Sequence, residues 1–184
     1  MIDIITDIFP ISKDAQDQLM NLMEEKHFEK GTLLMKANRL EKHIYLIKKG
    51  IVRAYSDHQD GEITFWFGEE GSAVLSMKSY VENKKSYENI ELLEAGILYE
   101  ISIDQLQLLF EKNIEVANWG RKLAERELLK LETRMISREL LSARLRYEEI
   151  LTHCPSLIKR VSLKYIASYL GITPVSLSRI RKEI

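Results

Sequence analysis

The chain has 184 residues, 27 of them Lys or Arg and 28 Asp or Glu, so the formal net charge is -1. No global pull toward nucleic acid follows, and any such affinity has to come from a local patch. Hydrophobic content of 45% over this length is enough to bury a core, in one large domain or two small ones, and predicts a globular protein.

The single cysteine, Cys154, excludes an internal disulfide and a thiolate set for an iron–sulfur cluster or structural zinc. It fits a reducing cytoplasm. The N-terminus lacks the basic segment and apolar run of a signal peptide, and no apolar run approaches the roughly 20 residues that span a bilayer. A soluble, unexported, cytoplasmic protein with no membrane partner is expected.

Ile2 to Phe9, closed by Pro10, reads as a short helix, and Ser12 starts a second through Met23 with Leu19, Leu22 and Met23 inward. From His27 the period changes. Phe28, Leu33, Leu34, Ile44, Leu46, Ile47, Ile51 and Val52 fall in short β-rich runs punctuated by Gly31, Gly50, Gly61, Gly68, Gly71 and Gly96, the spacing of antiparallel strands. Lys49-Gly50 and Asp60-Gly61 are turn signals, Ile63 to Phe67 is the most β-prone run, and Ile97 to Ile101 closes the sheet.

Ile103 to Phe110 reads as a helix capped by Ser102 or a nearby polar residue, and a longer one runs from about Asn113 to Arg134. Ala117, Ala124, Leu128, Leu131 and Met135 recur on it at mostly three- and four-residue steps, and Val116, Trp119 and Leu123 form a second set on an adjacent side. Two apolar sides imply two partners: the β domain, and the same helix of a second copy in a parallel two-fold dimer. One wide apolar face on a single core is the alternative. Ser137 is expected to cap the next helix, through Leu151, with Leu140, Leu141, Leu145, Ile150 and Leu151 inward. Pro155 ends that region. The domain boundary is placed near Met135 to Ser137, giving 1–112 as a roll with flanking helices, 113–136 as a dimerisation helix and 137–184 as a C-terminal helical domain.

The last stretch, Leu163 to Ile184, matches a helix-turn-helix. Ile166, Leu170, Ile172, Leu177 and Ile180 supply the contacts that lock two short helices, Ala167 sits where they cross, and Gly171 takes the left-handed turn. Thr173 reads as N-cap with Pro174 at the first helical position. A plain αα-hairpin would use the same apolar residues, but it does not call for the outward set Val175, Ser176, Ser178, Arg179, Arg181 and Lys182. From Lys159 onward Lys159, Arg160, Lys164, Arg179, Arg181 and Lys182 face Glu183 alone, so this end is basic and the remainder acidic.

The order of parts resembles the Crp/Fnr family of bacterial transcription regulators over nearly the whole chain. The residues that carry the resemblance are Gly31 and Thr32, Tyr45-Leu46-Ile47-Lys48-Lys49-Gly50 followed by Val52-Arg53, and the window from Ile166 to Arg179. It implies an α+β fold: an N-terminal antiparallel β-roll of the cyclic-nucleotide-binding, double-stranded β-helix kind, a long dimerisation helix and a C-terminal helix-turn-helix. It also implies a homodimer on a palindromic double-stranded DNA site, and leaves open a small-molecule effector in the roll and contact with RNA polymerase. Thr173, Val175, Ser176 and Arg179 are then candidates for base-edge or phosphate contact, with Ser178, Arg181 and Lys182 meeting phosphates.

Two departures qualify what the resemblance implies. Cyclic-nucleotide-binding members hold the ribose with the glutamate of a Gly-Glu pair and the phosphate with an arginine. Here, aligned on Gly71, Leu75 and Ser76 stand for Gly-Glu, and Lys84-Lys85-Ser86-Tyr87 lies near the arginine position. Lysine is not a bidentate fork, and the glutamate is missing, so cyclic nucleotide is not the expected cofactor. Any effector pocket is placed at Leu75, Ser76, Met77, Lys85, Ser86 and Tyr87, and Phe65, Trp66, Phe67, Tyr80 and Tyr87 are read mainly as roll core. On the recognition helix, Pro174-Val175 replaces the Arg-Glu of relatives that read G·C pairs, so the preferred sequence differs, and the β-wing that follows in many relatives is expected to be absent.

No enzyme is expected. A metal-dependent cupin would need clustered ligands, whereas His27, His43, His58 and His153 are spread over different elements. No catalytic or metal-binding residues are assigned; haem sensing, found within the family, stays open. The rival reading is a dimeric effector-binding or protein-interaction module with degenerate DNA binding.

Overall fold

Two short helices open the chain, α1 (Ile2–Ile8) and α2 (Lys13–Met20). The Ser12 hydroxyl caps α2 by accepting from the Ala15 amide. α2 stops at Met20 rather than Met23, because the chain turns through Asn21 and Leu22 into β1 (Glu24–Phe28); Leu22 and Met23 still pack on the same core. That strand starts before the expected His27, hidden by its polar residues. The computed structural model describes residues 1–59 and 61–184, so Asp60 of the expected Asp60-Gly61 turn lies outside the described residues.

The β region continues with β2 (Leu33–Met35), β3 (His43–Lys49), β4 (Val52–His58), β5 (Gly61–Gly68) and β6 (Ala73–Val74), then α3 (Met77–Glu82), β7 (Asn89–Leu92) and β8 (Gly96–Ser102). They form two antiparallel four-stranded sheets, ordered β1-β8-β3-β6 and β2-β7-β4-β5. Alternation along the strands sends Met35, Tyr45, Ile47, Val52, Ala54, Val74, Ile90, Leu92 and Leu98 inward, with Phe28, Leu34, Phe65 and Trp66 against them. The roll is thus filled by its own side chains. Its ends meet tightly at Gly50 (φ +122°) and Gly96: a Cβ on Gly96 would lie 2.8 Å from the Lys49 carbonyl oxygen, so only glycine fits there.

Helix α4 (Ile103–Lys112) follows at once and α5 (Ile114–Leu140) after it, where the Asn113 side chain accepts from the Glu115 and Val116 amides. Val116 and Trp119 are fully buried against α1, α2 and α4, and the indole nitrogen of Trp119 donates to the Ile5 carbonyl at 3.0 Å. Ser12 donates through its amide and hydroxyl to Glu115, and Arg126 reaches Asp7. Beyond this anchorage the helix meets the C-terminal helices, with the Arg134 guanidinium over the Tyr169 ring at 4.1 Å.

The long helix does not end near Arg134. It passes through Met135 to Ser137 and breaks at Leu141-Ser142, and the cap of α6 (Ala143–His153) is Ser142, whose hydroxyl accepts from the Leu145 amide. Ser137 lies within α5 and donates to Glu149 instead, so the expected 113–136 helix is longer by one turn and the junction falls later. Leu140 and Leu145 are exposed, not inward, and Tyr147 is the buried residue of α6. Pro155 begins a further helix, α7 (Pro155–Arg160), where its missing N–H costs nothing. Arg146 then ties the pieces, donating to the Arg138 carbonyl near the end of α5 and the Leu170 carbonyl at the end of α8 (Leu163–Leu170). Last comes α9 (Pro174–Glu183).

The C-terminal helices close against the roll rather than standing apart. Ile51, Phe67 and Leu93 join the cluster of Tyr147, Leu157, Val161, Ile166, Ala167, Leu170 and Leu177. Arg53 on β4 is buried between the rings of Tyr55 and Tyr165, 4.0 and 3.8 Å from their centres, and pairs with Glu62 and Glu91 at 2.6 Å each. Ser168 on α8 accepts from the Thr64 amide at 2.9 Å and donates to the Glu62 carbonyl at 3.0 Å, along β5 at the edge of its sheet. Arg160 binds Glu70 at 2.7 Å and also engages Glu94.

Two outcomes follow. Replacing Trp119 with Ala should lower unfolding free energy by about 3–5 kcal/mol, the usual range for a buried indole, as read by urea denaturation. The Arg160 guanidinium first, and the Gly50 amide with it, hold the Glu70 carboxyl at about 2 against an ordinary 4.5. A carboxylate depressed in the folded state stabilises it above the unfolded value, and that contribution is lost as pH falls from about 4.5 toward about 2. Thermal melts across that interval should therefore fall more steeply for the wild type than for Glu70→Gln.

Candidate nucleic-acid interface

The α8–α9 pair is built as its residue spacing dictates. Ile166, Ala167, Leu170 and Leu177 are buried, and Ile172 and Ile180 pack on the same cluster. Gly171 adopts φ +69° at the C-cap of α8, the left-handed value expected for it. The Thr173 hydroxyl caps α9 by accepting from the Ser176 amide at 3.1 Å, with Pro174 at the first helical position.

This packing sorts the candidate contact residues. Val175, Ser178, Arg179, Arg181 and Lys182 are exposed, on the side of α9 away from Leu177 and Ile180. Thr173 and Ser176 lie at the start of the helix, but their hydroxyls already sit 3.0 Å apart in the cap. Among the described residues, Arg179, Arg181 and Lys182 have no carboxylate partner; Glu183 lies 3.8 Å from Arg144 instead. Since α8 shows Tyr165, Ser168 and Tyr169 to the roll and Ile166, Ala167 and Leu170 to α9, the layers run roll, α8, α9, solvent. The basic face is outermost.

The long helix presents a second unpartnered surface. Leu128, Leu131 and Met135 are 66%, 61% and 59% exposed, Ala124 is exposed on the same stripe, and Ala117, nearer the roll, is half-buried. Val116, Trp119 and Leu123 face the core.

The six residues placed at an effector pocket do not converge. Leu75 packs on the core, Ser76 is buried and its hydroxyl caps α3 by accepting from the Ser79 amide, and Met77 is exposed. Ser86 is buried and donates to the Lys36 carbonyl, Lys85 is exposed, and Tyr87 is exposed with its ring 6.2 Å from Phe65. A cavity of about 330 Å³ beside α3, lined by Glu41, Ser79, Tyr80, Ile103, Asp104 and neighbouring residues, includes none of the six. Burial pushes the Tyr80 hydroxyl up in pKa. Among the described residues no group of three or more His, Cys, Asp or Glu could hold a metal ion, and no helix is long and apolar enough to cross a membrane.

Sequence reasoning named Arg53 and Arg160 without their partners, and passed over Tyr165 and Ser168. One signal was present: Tyr165, Ser168 and Tyr169 stand at i, i+3 and i+4 on the side of α8 opposite its core residues, a spacing that calls for a second partner.

Comparison with known proteins agrees with this architecture. The family described as the cyclic nucleotide-binding domain matches residues 25–113. No curated protein matches the chain significantly. Among solved structures, a putative transcriptional regulator of the crp/fnr family from Eubacterium rectale superposes with TM-score 0.74 at 18% identity, covering 96% of this chain and 87% of that one. CLP of Xanthomonas campestris, a c-di-GMP-responsive global regulator, gives 0.73 at 16% identity over 94% and 91%. FixK2 of Bradyrhizobium japonicum gives 0.71 at 18% over 88% and 83%. Residues 25–113 are thus similar to the cyclic nucleotide-binding domain, and the whole chain shares the fold of the Crp/Fnr-type regulators.

Proposed function

We propose that this protein is a DNA-binding transcription regulator that works as a homodimer, placing two copies of α9 in successive major grooves of a palindromic site. The observation that carries this reading is the outermost face of α9, where Arg179, Arg181 and Lys182 stand exposed and, among the described residues, without carboxylate partners on a chain of net charge -1. Basic side chains left unneutralised on one helix of an otherwise acidic molecule concentrate positive potential where phosphates would lie. Arg179 is assigned to a base edge, with its planar fork suited to guanine, and Val175 to apolar contact in the groove. Ser178, Arg181 and Lys182 are assigned to phosphates, and Thr173 and Ser176 hold the helix start in shape through the cap.

The exposed stripe of Ala124, Leu128, Leu131 and Met135 supports dimerisation through α5. Three large apolar side chains at heptad-like spacing, each more than half exposed in the single chain, call for a second copy related by a two-fold axis.

The same reading leaves cyclic nucleotide out of the roll. Ser76, at the position of the ribose-binding glutamate, is spent on capping α3; no arginine stands at the phosphate position; and Met35, Ile47, Val52 and Leu98 occupy the interior. A regulator rather than an enzyme, it responds through this fold to a different ligand or to its own abundance.

DNA binding is tested by selecting duplexes from a randomised pool about 30 base pairs long and measuring affinity by fluorescence anisotropy. A palindrome with half-sites about 34–36 Å apart is expected, with affinity falling steeply as salt rises. Arg179→Ala should cost about 1–3 kcal/mol on the selected site and little on random duplex; equal loss on both would reduce Arg179 to a phosphate contact. For the dimer, the pair Leu128→Glu and Leu131→Glu should give a monomer in sedimentation with helicity retained, since both side chains are exposed in the single chain. A dimer that survives both changes refutes the α5 interface.

A further inference from the structure

The cavity of about 330 Å³ beside α3 lies outside the roll interior, between the segment that leads into β3, helix α3 and the first turn of α4. Its walls are pinned by backbone groups. The Glu41 amide donates to the Ser79 hydroxyl at 3.2 Å, that hydroxyl donates to the Lys84 carbonyl at 2.9 Å, and the Ile103 amide donates to the Lys42 carbonyl at 3.0 Å. Asn83 closes α3 in the left-handed conformation, with its amide on the Lys78 and Ser79 carbonyls. The shape of the cavity therefore draws on none of its charged side chains.

Those side chains are Glu41, Asp104 and Lys42, and among the described residues none of them has an ion-pair partner. Glu41 accepts from the Lys36 amide at 3.2 Å, while Asp104 and Lys42 stand exposed at the rim. Opposite charges that adjoin one cavity without meeting each other leave each of them for a third party. Two carboxylates against one ammonium give the lining a net charge of -1. Half-buried Tyr80 and buried Ile103, both on the core cluster shared with α4 and α5, supply an apolar strip between the charges. The volume is at the lower end of the range for small-molecule sites, and a lining this polar calls for a small, polar ligand with a short aliphatic part.

We propose that this cavity binds a basic amino acid, of the class of L-ornithine, L-lysine and L-arginine. Its two cationic groups answer Glu41 and Asp104, its α-carboxylate answers Lys42, and its methylene chain lies along Tyr80 and Ile103. The ligand's net charge of about +1 offsets that of the lining. Contacts between charged partners are the stronger kind of hydrogen bond, so each match contributes to selection. A neutral amino acid leaves one carboxylate unanswered and a diamine leaves Lys42 unanswered, which is how the site rejects both. Because the walls come from three segments, the bound amino acid ties α3 to α4. Occupancy of the cavity does not depend on α9 meeting DNA.

The test is isothermal titration calorimetry of the full-length chain with L-ornithine, L-lysine and L-arginine in turn, at least one of which should bind saturably. L-norvaline, which lacks the terminal ammonium of ornithine, and putrescine, which lacks its carboxylate, should bind about tenfold or more weakly than the best of the three. Asp104→Asn and Lys42→Met should each weaken that binding about tenfold or more, while Lys30→Met, outside the cavity, leaves it unchanged. Both rim residues are exposed, so the ligand-free melting temperature should stay as in the wild type. In NMR spectra the Ser79, Asn83 and Gln107 amides should shift on titration, with those of Leu98 and Leu177 unmoved. No saturable binding by any of the three amino acids overturns the proposal. Equal binding by norvaline or putrescine overturns the ligand class, and binding that survives both rim substitutions, with shifts elsewhere, overturns the site.

Discussion

The burial of Trp119 fixes where the long helix points, and everything C-terminal to it follows. With Val116 it takes one side of α5 out of water against α1, α2 and α4, and its indole nitrogen answers the Ile5 carbonyl. An indole that is both buried and hydrogen-bonded holds a helix in rotation as well as in position. Once that side is committed, Leu128, Leu131 and Met135 have to point elsewhere, and the break at Leu141-Ser142 has to fall where the next helices can turn back to the roll. A free stripe and a returning C-terminal unit are two results of one anchorage.

The returning unit meets the roll with chemistry unlike that of either core. Inside the roll the contacts are apolar and closed, with the glycines at 50 and 96 letting two backbones approach. At the seam a buried guanidinium lies between two tyrosines, a serine bridges a strand edge and an arginine gathers carboxylates. Apolar interiors pack irreversibly in effect, since every gap costs dispersion and transfer energy. A seam whose polar members keep a partner or find water when parted is held by far less.

Much of this was readable from spacing. The turn at Gly171, the cap at Thr173 and the buried set Ile166, Ala167, Leu170 and Leu177 are local patterns, and the structure follows them residue by residue. The two-sided pattern on α5 likewise separates into a buried side at Val116 and Trp119 and an open one at Leu128, Leu131 and Met135. Boundaries fared less well. Ser137 has the residue type of a cap and is none, because the helix continues and its hydroxyl finds Glu149, while Ser142 does the capping. Ser76 and Ser86 looked like pocket residues, but their hydroxyls serve the α3 cap and the Lys36 carbonyl.

By itself the sequence determined the order of parts, the α+β class, the helical pair at the end and the basic face of α9, because each is written in a period of two or about 3.6 residues, or in a net excess of one charge. Only the tertiary structure decided that Arg53 is buried, that Arg160 belongs to Glu70 and Glu94, and that α8 lies along β5. Periodicity tells which side of an element is covered. It cannot say which distant surface covers it, since residues about a hundred positions apart, such as Thr64 and Ser168, meet only when the whole chain has closed.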